Sequence, residues 1–212
     1  MSFRYPVTLD VASRQCVVVG GGRVAERKVL GLLAAGAAVR VVAPAATLLL
    51  QELSREQKIA WSREEYHEGC LDGSFLVIAA TGSREVNSKV AADCKRRNIP
   101  VNVADSAGES DFIVNSFLRR GDLIIAVSTN GKSPALARKI KEELEEVFGQ
   151  EYGIVLDILG QAREDALREV SGCGRRKELF YKMIDSILDL VREGRSGEAR
   201  ERVTQCLLQY LE

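Results

Sequence analysis

Gln15-Cys16-Val17-Val18-Val19-Gly20-Gly21-Gly22-Arg23-Val24-Ala25 is a short β-branched run, then three glycines, then the opening of a helix-forming segment. From Gly20 to Ala25 it fits G-x-G-x-x-A, in the order strand, turn, helix. Each small residue has a physical task. Gly20 permits the tight turn, Gly22 lets a pyrophosphate approach the backbone, and Ala25 lets the helix pack closely on the strand. The helix start offers free N–H groups and the positive end of its dipole to phosphates. Gly20, Gly22, Arg23, Val24 and Ala25 are therefore candidate dinucleotide contacts. One part of the fingerprint is missing. The end of the second strand reads Val41-Val42-Ala43-Pro44-Ala45, with no Asp or Glu for a ribose hydroxyl. Ala43, Pro44 and Ala45 are the candidates to hold that ribose, through backbone groups. These residues alone leave NAD, NADP and FAD open, and Arg23 is a cation suited to a 2′-phosphate.

Outward from the loop, strand and helix signals alternate. Ala25–Ala35 reads as a helix stopped by Gly36, and Ala38–Val42 as a strand closed by Pro44. Leu48–Glu56 reads as a helix, Ile59–Trp61 as a third strand, and Ser74–Ala80 as a stronger one. Glu85–Arg97 is helical, Pro100–Val103 begins a strand, and Asp122–Ser128 is the last strong strand signal. Continuous apolar strands alternating with helices predict a parallel sheet covered on both faces. Thr81-Gly82-Ser83 follows the Ser74–Ala80 strand on the ligand side of such a sheet, so Thr81 and Gly82 join the candidates. Asn87 reads as an exposed polar group of the next helix. From Ser133 onward only helices are predicted: Pro134–Phe148, Tyr152–Val170, Arg176–Glu193 and Gly197–Tyr210. Gly172 and Gly174 break the second from the third, and Gly194 the third from the fourth.

Composition removes other classes. Lys+Arg 30 balances Asp+Glu 30, whereas nucleic-acid binders usually carry a basic excess, so no nucleic-acid partner is expected. No apolar run reaches membrane-spanning length, and the start lacks a basic n-region with an apolar h-region; no membrane partner or signal peptide is expected. Cys16, Cys70, Cys94, Cys173 and Cys206 are odd in number and contain no C-x-x-C pair. They read as free thiols of a cytoplasmic protein, with no metal site. His67, the one histidine, stands in the polar stretch Glu64-Glu65-Tyr66-His67-Glu68 and reads as a surface residue.

Taken in order, several segments resemble one family. They are Pro6-Val7, Val18 to Lys28, Ala79-Ala80-Thr81-Gly82, Glu85-Val86-Asn87, Val101-Asn102-Val103-Ala104-Asp105, Asp111-Phe112-Ile113 and Gly131 to Arg138. Together they resemble precorrin-2 dehydrogenase, the NAD-binding module of siroheme synthase, which in some members is also a sirohydrochlorin ferrochelatase. The resemblance thins over the helical tail.

The resemblance implies an α/β chain: a Rossmann-like parallel-sheet domain over 1–113, a dimerisation segment over 114–148 and a helical C-terminal domain over 149–212. It implies oxidation of precorrin-2 to sirohydrochlorin with NAD+, a further step inserting Fe2+ or Co2+ in some members, and a homodimer. The additional methyltransferase domain of long siroheme synthases is expected to be absent. Asp105 matches the family aspartate assigned to catalysis, and Asn102 is placed to position the nicotinamide or its loop. A carboxylate there accepts a proton as hydride leaves the macrocycle. Ser133 reads as an N-cap and Pro134 as the first helical residue, and a helix start attracts anions. Precorrin-2 carries eight carboxylates, so Thr129, Lys132, Ser133 and Arg138 are candidate substrate contacts, with Arg119 and Arg120 nearby. Two other readings are a Rossmann sensor that binds NAD without turnover and a chelatase that has lost the dehydrogenase step. A sensor has no need of Asp105, and a pure chelatase has no need of the glycine loop.

Overall fold

Val17 and Val19 point to one side of their strand and Cys16 and Val18 to the other, and all four are buried. A strand apolar on both faces must lie inside a covered sheet. The computed structural model, which describes residues 4–169 and 173–211, shows that sheet. The chain divides into two compact units, Met1–Val114 and Asn115–Glu212.

The first unit alternates β1 (Gln15–Val19), α1 (Arg23–Ala34), β2 (Ala38–Val42), α2 (Leu48–Arg55), β3 (Ala60–Ser62), β4 (Leu76–Ala79), α3 (Arg84–Arg96) and β5 (Val101–Val103). Its five strands are parallel, in the order β3-β2-β1-β4-β5. Strand order reverses between β1 and β4, the position where open α/β sheets hold their ligands. On one face Cys16, Val18, Val41 and Ile78 pack with Ala25 and Val29 of α1 and Leu50 of α2. On the other, Val17, Val19, Val42 and Val77 pack with Leu71 and with Val90 and Cys94 of α3. Burial raises the Cys16 thiol to about 11. The Cys94 thiol rises to about 12, through burial and then the nearby Asp93 and Asp111 carboxylates, against Arg97.

Helix ends follow the sequence signals. Gly36, at φ 76°, closes α1, with the Ala37 N–H bonding the Leu32 carbonyl at 3.0 Å. The edge strand β5 is covered by a strap. The Asp111 carboxylate accepts from the Val101 N–H (3.0 Å), Ser110 Oγ accepts from the Val103 N–H (2.8 Å), and Asn102 Nδ2 donates to the Phe112 carbonyl (3.0 Å). These bonds satisfy polar groups that a bare sheet edge leaves open.

The second unit holds β6 (Ser116–Arg120), β7 (Leu123–Val127), α4 (Pro134–Val147), α5 (Glu151–Glu169), α6 (Cys173–Arg192) and α7 (Ser196–Leu211). Here two expectations are corrected. The Asp122–Ser128 strand signal is not part of the parallel sheet: β7 pairs antiparallel with β6 in a separate hairpin. The signal for β6 is weak because its residues, SFLRR, bury only Leu118. The hairpin turns at Gly121-Asp122, with Gly121 at φ 57°. Gly174 does not break two helices; it lies in the first turn of α6, while Gly172 falls outside the described residues. Gly194, at φ 77°, does end α6. Helices α5, α6 and α7 share a core of Val155, Ile158, Ala162, Leu179, Met183, Ile187 and Val203.

Candidate active site

The glycine loop is shaped by what a side chain would strike. A Cβ on Gly20, whose φ is 128°, would lie 2.4 Å from the Ala80 carbonyl oxygen at the end of β4. On Gly21 it would lie 2.0 Å from the Ala45 carbonyl oxygen. On Gly22 it would meet nothing within 4 Å. Gly20 and Gly21 are thus needed for backbone packing, and Gly22 borders open space at the N-terminus of α1. No side chain caps that helix start, so its first N–H groups are free to meet an anion. A pyrophosphate fits this cradle. Of the predicted loop contacts, Arg23 and Val24 are exposed, and Ala25 is buried against the sheet.

At the β2 end, Ala43 is fully engaged. Its N–H bonds the Ser62 carbonyl (3.2 Å), and its carbonyl accepts from Trp61 Nε1 (2.9 Å). Pro44 and Ala45 are exposed beyond it. Sequence reasoning missed Arg63, whose guanidinium stacks 4.2 Å over the Trp61 ring beside this strand end.

The second loop is a polar knot. Asn87 Oδ1 accepts from the Thr81 N–H (3.1 Å) and the Thr81 hydroxyl (2.8 Å), and Asn87 Nδ2 donates to the Thr81 carbonyl (3.2 Å). Asn87 is therefore buried, not exposed as expected; the amide serves the loop backbone. Thr81 and Gly82 line a cleft of about 330 Å³ with Arg84, Asn87, Val103, Asp105 and Glu109.

Asp105 sits just past β5 in the left-handed region, at φ 64°. Asp tolerates that conformation better than most residues. The two carboxylates of the cleft differ. Glu109 accepts from Ser88 Oγ (2.7 Å) and Ser106 Oγ (2.8 Å). Those hydroxyls hold its pKa below the ordinary carboxylate value, against burial, with help from Arg84. The exposed Asp105 carboxylate has no hydrogen bond or ion pair among the described residues. Lys28 of α1, quoted in the sequence motif without a role, feels the Asp105 charge. Burial and then Arg27 lower its pKa, and Asp105 opposes them. Asn102 on β5 lies opposite Ile78, on the α1 side of the sheet, with its Oδ1 buried and unpartnered. Such an acceptor is costly to leave unmet.

The remaining candidates lie in the second unit. Ser133 caps α4, accepting from the Leu136 N–H at 3.2 Å, and Pro134 begins the helix. Thr129 Oγ1 accepts from the Ser133 N–H (3.1 Å) and donates to the Ser133 carbonyl (3.0 Å). Lys132 and Arg138 are exposed. Arg120 is not a free cation: it donates to the Phe148 carbonyl at 2.9 Å.

Residues 7–116 match the family described as putative NAD(P)-binding, and residues 120–146 match the sirohaem biosynthesis protein central family. A siroheme synthase of Photobacterium profundum is 37% identical over 199 residues, 93% of this chain and 42% of its own length. One from Nitrosospira multiformis is 38% identical over 200 residues, again 42% of its length. The chain thus spans about two fifths of these relatives. A solved structure of SirC, a precorrin-2 dehydrogenase, is similar with a TM-score of 0.74 and 30% identity, covering 95% of this chain and 100% of that one.

Proposed function

The chain belongs to the precorrin-2 dehydrogenase family, and from that premise we propose that it oxidises precorrin-2 to sirohydrochlorin with NAD+ in siroheme biosynthesis. The observation that carries the reading is that a phosphate cradle after β1 and an unengaged carboxylate after β5 both stand at the carboxyl ends of the parallel strands. NAD+ supplies the hydride acceptor. Gly20, Gly22, Arg23, Val24 and Ala25 receive the pyrophosphate, Ala43-Pro44-Ala45 the adenosine ribose, and Thr81, Gly82 and Asn102 the nicotinamide half. Asn102 Oδ1 is an acceptor suited to a carboxamide N–H. Asp105 is the base: it takes the proton that the macrocycle sheds as hydride departs. Glu109 is the poorer base, because two hydroxyls already stabilise its ionised form.

Residues 1–113 form the dinucleotide domain, 114–148 the dimerisation segment and 149–212 the helical C-terminal domain of a cytoplasmic homodimer. The half-exposed apolar residues Leu136 and Val147 of α4 support a second copy as their cover. The free buried thiols Cys16, Cys70 and Cys94 support a reducing compartment. Thr129, Lys132, Ser133 and Arg138 present donors and positive charge to the substrate carboxylates. The same Asp105 suits removal of pyrrole protons should Fe2+ or Co2+ enter the product.

The test is single-turnover NADH formation from precorrin-2 under anaerobic conditions, at several pH values. Asp105→Asn keeps the size and removes the basicity. The expected loss is about 10²–10⁴-fold with NAD+ affinity unchanged. Wild-type turnover in the variant removes Asp105 from the mechanism. Addition of Fe2+ after oxidation then reports metal insertion through the tetrapyrrole spectrum.

A further inference from the structure

The segment joining β3 to β4 has no helix of ordinary length, only a single 3-10 turn at Glu68–Leu71. His67 is the extended residue just before the turn and Cys70 lies within it, and the Cys70 N–H bonds the His67 carbonyl at 2.9 Å. Glu64 stands three residues before His67, its Oε2 lying 3.4 Å from His67 Nε2. The carboxylate oxygen, ring nitrogen and thiol sulfur all lie within 4.8 Å of one another. We infer that Glu64, His67 and Cys70 form a binding site for a divalent transition-metal ion of the zinc, cobalt(II) or iron(II) class, outside the Asp105 cleft.

An ordinary surface hydrogen bond accounts for Glu64 and His67 but not for the convergence of a buried thiol on them. Two further features fit a built site. Gly69 makes room for the imidazole: a Cβ there would lie 3.1 Å from His67 Cε1 and Nδ1. Cys70 is fixed from behind, packed among Val17, Leu71, Val77 and Val90, with its carbonyl bonded by the Arg40 guanidinium. The donor set has one rigid, buried sulfur and two exposed arms that are free to close. Bonds of about 2.0–2.3 Å to a tetrahedral ion place ligand atoms about 3.2–3.8 Å apart, so closure needs only a small swing of Glu64 and His67. Two anionic ligands neutralise the ion, which limits its repulsion from Arg40. Three protein ligands leave a position for water, making this an open site rather than a closed structural one. On binding, the Cys70 S–H bond breaks, sulfur bonds the metal, and the proton goes to solvent.

Cobalt(II) titration of the reduced full chain, without tetrapyrrole, tests the inference. One equivalent is expected to give the visible bands of tetrahedral cobalt with a near-ultraviolet thiolate-to-cobalt band. His67→Gln and Glu64→Gln change exposed side chains and leave the fold intact; each is expected to weaken cobalt binding roughly tenfold or more. Cys70→Ser is expected to abolish the thiolate band, and Cys206→Ser to keep it. NAD+ affinity is expected to stay at the wild-type level in His67→Gln. Absence of the thiolate band at one equivalent, or its persistence at wild-type affinity in His67→Gln and Glu64→Gln, overturns the site.

Discussion

The two units solve the burial problem in opposite ways. In the first, the core is the two faces of one sheet of short apolar strands packed against helices, and its chemistry sits where backbones touch: Gly20 against Ala80, Gly21 against Ala45. In the second, stability rests on side-chain stripes along α5, α6 and α7, and its hairpin and α4 carry Phe117, Ile124, Leu136 and Val147, each about half exposed or more. The difference teaches where each unit is intolerant. The first fails when a single methyl group is added at a backbone crossing. The second tolerates change on its outer apolar surface and is intolerant in the stripes that α5, α6 and α7 bury against one another.

The largest effect follows from Gly21. Gly21→Ala drives a Cβ into the Ala45 carbonyl, and neither partner is a flexible side chain that can move aside. A destabilisation of about 3 kcal/mol or more is expected. Trp61 is the single tryptophan and lies in the first unit, so its fluorescence reports that unit alone. Urea unfolding followed at Trp61 should shift strongly for Gly21→Ala and little for Gly22→Ala, whose Cβ enters open space. Equal shifts would contradict the backbone account.

Next is alkaline pH. The Cys16 and Cys94 thiols, raised to about 11 and 12, ionise near 9 once unfolded. A group whose folded pKa is raised contributes its stability in full below the unfolded value and loses it as pH climbs through the folded one. Stability of the first unit should therefore hold to about pH 8.5 and then fall, by the order of 1 kcal/mol per pH unit for each thiol, until about pH 11–12. Trp61 fluorescence should report the loss before helical circular dichroism does. Cys16→Ala should flatten the slope between pH 9 and 11; an unchanged slope would acquit the thiol.

A smaller effect is expected where the first unit is open. Gly22→Asp leaves packing alone but sets a carboxylate where the pyrophosphate belongs. NAD+ affinity should drop about 10–100-fold, a change of roughly 1.4–2.7 kcal/mol. Calorimetric titration checks it, and wild-type affinity would remove the loop from the cofactor site.

This contrast also marks how far the sequence was legible. β1 and β4 are apolar on both faces, so their runs were readable without context, and glycines in strand–turn–helix order named the cradle. What escaped depends on contacts that only the folded chain makes. Gly21 is constrained by Ala45, 24 residues on. Asn87 looks like surface until Thr81 folds back onto it. β6 escaped because a two-stranded hairpin buries only one face, leaving SFLRR without a clear alternation. The different availability of Asp105 and Glu109 needed Ser88 and Ser106 in place. In the helical unit α5 and α6 are separate helices as expected, but Gly174 falls inside the first turn of α6 and not between them.

The smallest change in folding free energy should come from the surface that most distinguishes the second unit. On the hairpin, Phe117 pairs with Ala126 and Arg119 with Ile124, so Phe117 and Ile124 share one face, the exposed one. On α4, Leu136 and Val147 are also left half uncovered or more. If a second copy covers these residues, charge there breaks assembly without unfolding the protomer. Phe117→Lys with Ile124→Lys, and separately Leu136→Glu, should turn a dimeric mass into a monomeric one in light scattering at micromolar concentration. Because these side chains are exposed within one chain, intrinsic protomer stability should change by no more than about 0.5 kcal/mol. Trp61 fluorescence and NAD+ affinity should stay at wild-type values. A monomeric wild type at that concentration would sink the homodimer. A dimer that survives both sets of charges would place its interface elsewhere and leave the exposed apolar face of the hairpin for another partner.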